Sequence, residues 1–157
     1  MNMRDEDTID WIDGLTDKER DTMSEQTMRS RVVRLLAPLD GMAVENPVRP
    51  GTPDINYIPG WIECKWMRAW PKNADVAPVL MPHFTKQQRI WLKRRVRAGG
   101  EAWLMLQVRR EWLIFRGDIA AKIVGYANKP ELIVSAARYW ENGLVEKELL
   151  SWLITPV

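Results

Sequence analysis

The chain has 157 residues, 46% of them hydrophobic and 28% charged. That suits one α/β-sized domain burying roughly two thirds of its unfolded surface, and it excludes a disordered chain or a disulfide scaffold. The longest apolar stretches, such as Trp103 to Leu106, fall far short of the roughly 18 to 20 residues of a membrane helix, so no membrane is expected. One cysteine, Cys64, and one histidine, His83, exclude an internal disulfide and a Cys/His zinc cluster, leaving carboxylates as the expected ligands of any metal.

The formal charge of +2 hides a division: residues 1–25 carry nine acidic and three basic residues, so the remainder carries 12 acidic and 20 basic. Between Lys65 and Arg116 there are twelve Lys/Arg against three Asp/Glu. An excess of this kind attracts polyanions through counterion release, which makes nucleic acid the leading expected partner. A solvated charged surface is the alternative. The acidic start lacks the basic-then-apolar order of a secretory signal, so the expected location is the cytoplasm.

Residues 1–21 read as an acidic arm, with a short helical turn around Trp11; weak autoinhibition by competing with DNA for the basic face is the expected role, and merely keeping the protein soluble is the alternative. Thr16 with Glu19 and Thr22 with Glu25 both fit the capping box, so a helix is expected to start near Thr22. Met28, Val32, Leu35 and Leu36 give it one apolar face, and Pro38, Asp40 and Gly41 end it. Residues 42–66 switch to short extended pieces. Arg49 to Pro53 form a loop, Asp54 to Ile58 a strand, and Pro59-Gly60 a turn into a strand over Trp61 to Trp66, most simply of type II. Residues 67–84, with Pro71, Pro78 and Pro82, read as an ordered loop or flap.

Thr85 caps a helix running to Ala98 and ended by Gly99-Gly100. Lys86, Arg89, Lys93 and Arg97 fall on one face of it as a basic stripe. Ala102 to Val108 and Trp112 to Phe115 form a second hairpin, Asp118 caps a short helix, and Pro130 opens a helix whose one face carries Ile133, Ala136, Ala137 and Trp140. A last apolar helix spans Leu144 to Leu153. The expected order is a helix, three strands, a helix, two strands and further helices, with residues 22–124 as the core and 125–157 packing on it or forming a dimer interface.

Alternation along Trp61 to Trp66 puts Glu63 and Lys65 on one side of the strand and Ile62 and Cys64 on the other. The Pro59-Gly60 turn returns the chain so that Asp54 approaches both charged groups. Two carboxylates leave most positions of an octahedral magnesium ion for water and phosphate oxygens, and an adjacent lysine suits phosphodiester chemistry. A surface cross-strand pair of little energetic value is the plain alternative for Glu63 and Lys65.

The run from Gly51-Thr-Pro-Asp54 to Glu63-Cys64-Lys65 resembles the PD-(D/E)XK nuclease superfamily. Together with Glu25 on the first helix and Thr85-Lys-Gln-Gln88-Arg-Ile-Trp91 before Ala98-Gly99-Gly100, it looks like the branch of VRR-NUC domains and archaeal-type Holliday-junction resolvases. The resemblance covers about residues 22 to 118. It implies a restriction-endonuclease-like αβββαβ core with a mixed central sheet flanked by helices. It also implies Asp54, Glu63 and the Cys64 backbone carbonyl as ligands of Mg2+, with Mn2+ able to substitute, Lys65 as the catalytic lysine and Gln88 as a helper. Glu25 would orient a water beside the metal. Glu25 and Gln88 also each stand fourth in a capping box, and both roles can coexist.

DNA contacts are expected from Lys86, Arg89, Lys93, Arg97, Arg68 and Lys72. Trp66 and Trp70 either stack on exposed bases or pack a flap onto the core. Trp91 and Trp103 are expected in the core, and His83 as a structural or phosphate-contacting residue. The implied function is a metal-dependent endonuclease selective for branched DNA such as Holliday junctions, acting as a homodimer, of bacteriophage type and so in bacterial cytoplasm. A binding protein on a nuclease fold that does not cut, and a nuclease of ordinary duplex, are the competing readings.

Overall fold

A computed structural model describes residues 24–154; the acidic arm, Thr16, Thr22 and the final three residues lie outside that range. The chain forms an α/β fold in which one mixed, open six-stranded sheet is flanked by helices. In chain order the elements are α1 (Glu25–Leu35), a 3₁₀ turn (Ala37–Leu39), β1 (Met42–Ala43), β2 (Ile55–Asn56), β3 (Gly60–Met67), α2 (Lys86–Arg97), β4 (Glu101–Val108), β5 (Glu111–Arg116), α3 (Gly117–Ile123), α4 (Lys129–Ser135), β6 (Arg138–Trp140) and α5 (Glu146–Ile154). The strands lie in sequence order, and every neighbouring pair is antiparallel except β3 and β4. A parallel pair needs a crossover, and α2 supplies it. Among the described residues no helix is long and apolar enough to cross a membrane.

The sheet separates two cores. On one side α1 and α5 bury Met28, Val32, Leu36, Leu149 and Leu153 against Ile62, Cys64, Met105 and Ile114; on the other, α2, α3, α4 and residues 74–84 cover Leu104, Leu106, Leu113 and Phe115. Strands β4 and β5 are therefore apolar on both faces, as a central pair covered by helices requires. Trp91 and Trp103 lie in these cores, and the flap packs down with Ala74, Val79, Met81 and Phe84 buried. Leu149 and Leu153 show that α5 completes the core of the single chain.

Four details differ from expectation. Ser24, not Thr22, caps α1, its hydroxyl accepting from the Thr27 amide at 3.3 Å. The first hairpin turn spans Tyr57 to Gly60 with a cis Ile58–Pro59 peptide, so Pro59 occupies the third turn position rather than the second, and β2 is shorter than Asp54 to Ile58. Asp118 lies inside α3, behind an N-cap position held by Arg116. The helix opened by Pro130 stops at Ser135, and the chain turns extended to add β6, pairing Trp140 with Trp112. An exposed edge of β5 offers a ladder of backbone partners, which outweighs the helical spacing of Ile133, Ala136 and Trp140.

Candidate functional site

Strand β3 carries the charged pair. Glu63 and Lys65 are 1% and 2% exposed, and the Lys65 ammonium donates to Glu63 Oε1 at 3.0 Å. Burial rules out the surface-pair alternative: both groups lie under the first turns of two helices, with Ile62 and Cys64 pointing into the opposite core. Breaking such a pair is costly, since the remaining charge would be buried without a partner.

The loop before β2 brings Asp54 alongside. One Asp54 oxygen, Oδ2, accepts from the Cys64 amide at 2.9 Å, and the other accepts from the Arg29 guanidinium at 3.1 Å. This loop is seated on the start of α2 at Gly51, whose φ of +86° suits glycine and whose missing side chain admits the Gln87 carbonyl and Gln88 amide. The Gly51-to-Asp54 loop and the Gln-bearing helix are thus one packed unit.

The two helix starts close the cluster. Thr85 and Gln88 form the capping box: the Gln88 amide donates to the Thr85 hydroxyl at 3.2 Å, and the Thr85 amide to Gln88 Oε1 at 2.9 Å. The amide nitrogen of the same Gln88 side chain donates to Glu63 Oε1 at 2.9 Å. Capping and site roles coexist in Gln88. Glu25, released from capping by Ser24, places Oε1 3.9 Å from Lys65 Nζ and Oε2 3.6 Å from His83 Nε2. Asp54, Glu63, Lys65, Gln88 and Glu25 therefore meet in one place, and Cys64 contributes its amide to it.

The electrostatics follow from burial. Desolvation pushes the Glu63 carboxyl up to about 8, the nearby Asp54 carboxylate adds to the push, and Lys65 opposes it. Glu63 Oε2 is buried and has no hydrogen-bond partner among the described residues. Burial also raises the Cys64 thiol well above its ordinary range, so it is no nucleophile. Burial and the Lys65 charge lower the His83 imidazole.

The expected basic stripe separates. Lys86, Lys93 and Arg97 are exposed on α2. Arg89 instead turns inward: its guanidinium lies 4.2 Å from the Phe84 ring centroid and 5.0 Å from that of Tyr126, and donates to the Ala121 carbonyl at 3.1 Å. Helix α3 packs against α2 and occupies the side where that part of the stripe would face solvent. Arg68 and Lys72 are exposed in the segment after β3. Trp66 packs against the first core, and Trp70 donates its indole N–H to Glu111 beneath the Lys129 ammonium, so both belong to the packing of this segment.

Two residues of the cluster were not expected there. Arg29 follows Glu25 by four positions, so both project from one side of α1, a spacing that makes the Asp54 contact readable once the loop is placed. His83 stands two residues before the α2 cap and is drawn in with it.

Among the described residues no group of three or more His, Cys, Asp or Glu side chains is arranged to hold a metal ion. A pair of carboxylates does fit a hard divalent cation that keeps most of its water. The unpartnered Glu63 Oε2 is an acceptor of the required kind, next to Asp54. In this structure Asp54 is engaged by Arg29 and by the Cys64 amide. Comparison of the chain with protein-family models, with curated protein sequences and with solved structures gave no match.

Proposed function

We propose that the protein is a metal-dependent DNA endonuclease that hydrolyses phosphodiester bonds, preferentially in branched DNA such as Holliday junctions. The observation that carries the reading is the convergence of Asp54, Glu63, Lys65, Gln88 and Glu25 under two helix N-termini, with Glu63 Oε2 left unpartnered.

Asp54 and Glu63 would hold Mg2+, or Mn2+ in its place, with the Cys64 carbonyl as a third oxygen donor. When bound, the cation neutralises phosphate charge and acidifies water. The chain's own residues supply the rest. Lys65, fixed by Glu63, presents an ammonium beside the scissile phosphate, where it stabilises the negative charge that builds up during attack. Gln88, anchored by its capping box, holds the Glu63 carboxylate in one orientation. Glu25, at the start of α1, is placed to orient the attacking water, and the positive ends of α1 and α2 favour the phosphate itself. Exposed Lys86, Lys93, Arg97, Arg68 and Lys72 would follow the DNA backbone. A homodimer with one site per strand, working in the cytoplasm of a bacterial host, would suit a junction substrate.

One observation favours a second reading, a DNA-binding accessory protein that does not cut: Asp54 and Glu63 each already have a cationic partner in this structure, Arg29 and Lys65. Cleavage of a labelled four-way junction, a replication fork and linear duplex, in magnesium or EDTA, separates the readings. Junction-selective cutting lost in Asp54→Ala and Lys65→Ala, with binding retained, is the expected result. Equal cutting of all substrates indicates a general nuclease. Tight binding without metal-dependent cutting rejects the enzyme.

A further inference from the structure

Beside the carboxylate cluster lies an open cavity of about 600 Å³, lined by Leu80, Met81, Phe84, Lys86, Arg89 and Tyr126. Its size falls within the roughly 300 to 1,000 Å³ of small-molecule sites. Phe84 is the shared wall: Lys65 Nζ lies 6.0 Å from its ring centroid, and Arg89 stacks on the same ring at 4.2 Å. Gln88, which bonds Glu63, precedes Arg89 in α2. The cavity and the charged cluster therefore share the first turn of one helix.

Its chemistry is uneven in a specific way. Tyr126 is 66% exposed, so most of this large side chain remains open to solvent although the Arg89 guanidinium lies over its ring. Arg89 is held between Phe84 and Tyr126 and tied to the Ala121 carbonyl, so its planar guanidinium forms a fixed part of the wall. Gly125 makes room for it, because a side chain there would press on the Arg89 guanidinium, and its φ of +95° also suits glycine. Lys86 lines the rim as the first residue of α2, adding a charge to the positive end of that helix. An aromatic and apolar hollow with cations at its edge is complementary to a flat heterocycle attached to a phosphate.

We infer that this cavity receives a single unpaired base of the DNA strand, stacked on Tyr126, with its phosphate at Lys86 and the start of α2. The inference rests on the nuclease reading for the neighbouring phosphate, and it defines the substrate class: DNA with a nucleotide that is unpaired or readily unpaired next to the cut. An unpaired base costs less to bring out of the stack than a paired one, so the pocket discriminates by structure rather than by sequence.

The test is DNA affinity in EDTA, where no cutting occurs, for duplexes with one unpaired adenine, with an abasic residue at that position, or fully paired. The adenine-bearing duplex is expected to bind at least about tenfold more tightly than the abasic one. The ratio should fall to about one in Tyr126→Ala and return in Tyr126→Phe, while Lys86→Ala weakens both duplexes alike. Equal affinity of the wild-type protein for the two bulged duplexes overturns the inference without any variant. So does a ratio that survives in a folded Tyr126→Ala. Metal-dependent cutting with equal affinities removes the pocket and leaves the nuclease; base-selective binding with no cutting on any substrate does the reverse.

Discussion

Glu63→Gln removes one ionisable proton from a buried position while keeping the shape of the side chain and an oxygen for Lys65 and Gln88. In the folded protein the Glu63 carboxyl is pushed up from 4.5 to about 8. Between these values the folded chain keeps a proton that the unfolded chain has lost, so the contribution of Glu63 to folding stability is greatest below about pH 4.5 and declines as pH rises towards 8. The decline approaches about 1.4 kcal/mol per pH unit and totals about 5 kcal/mol over the interval. Glutamine does not titrate. The stability of Glu63→Gln minus that of the wild type should therefore be flat at low pH, grow through the interval, and level off above about pH 8. Urea unfolding followed by tryptophan fluorescence, in EDTA and at several pH values between about 5 and 8.5, measures this directly, and contributions from distant groups cancel in the difference. A difference that stays constant with pH would refute the argument. It would mean that Lys65, at 3.0 Å, holds Glu63 ionised despite its burial.

Three further outcomes follow from the same geometry. Gly51→Ala forces a side chain onto an φ of +86° and into the backbone of Gln87 and Gln88; a loss of about 2 kcal/mol, or a melting temperature lower by about 6 °C, is expected in thermal unfolding, together with weaker cleavage because Asp54 rides on that loop. Thr85→Ala and Gln88→Ala each disturb the α2 cap and should each cost about 1 kcal/mol, but only Gln88→Ala removes the bond to Glu63; kcat should fall sharply in Gln88→Ala alone, and equal activity losses would reduce Gln88 to a capping residue. Magnesium at ten times its Kd should stabilise the wild type by about 1.4 kcal/mol and leave Asp54→Asn unaffected; a melting-temperature rise of the same size in both proteins would place the ion elsewhere.

Legibility in the sequence followed the range of the interaction that decides each feature. The α1 face of Met28, Val32, Leu35 and Leu36, the Thr85–Gln88 box and the Gly99 terminus are set by neighbours three or four residues apart, and all are found. So are both hairpins, and with them the approach of Asp54 to Glu63, because a turn and strand alternation fix who faces whom. Strand β6 was hidden because its pairing with Trp112 is a long-range contact that overrides helical spacing. The inward turn of Arg89 was hidden for the same reason: nothing in the spacing of α2 reveals that α3 packs beside it and that Phe84 and Tyr126 enclose the guanidinium. Arg29 and His83 join the site only because two helix starts, far apart in sequence, converge on β3.

The cluster is also poorly explained as a device for stability. A buried ion pair contributes little beyond what two well-packed apolar side chains of the same volume would give, and often less. Here the pair additionally leaves a buried carboxylate oxygen without a partner, a cost of about 1 to 3 kcal/mol. Three carboxyl groups, those of Glu25, Asp54 and Glu63, meet two basic side chains, those of Lys65 and Arg29. Burial is the main reason that Glu63 keeps a proton, and the neighbouring Asp54 carboxylate adds to it. Elsewhere among the described residues the Trp103 indole N–H donates to the Tyr57 hydroxyl at 2.9 Å, whereas the Trp112 indole nitrogen is buried without a hydrogen-bond partner, so the cluster is set apart by its buried charges rather than by one orphaned atom. A buried carboxylate and ammonium placed where two helix N-termini meet over a strand are a departure from local consistency of the kind expected at a functional or strained site.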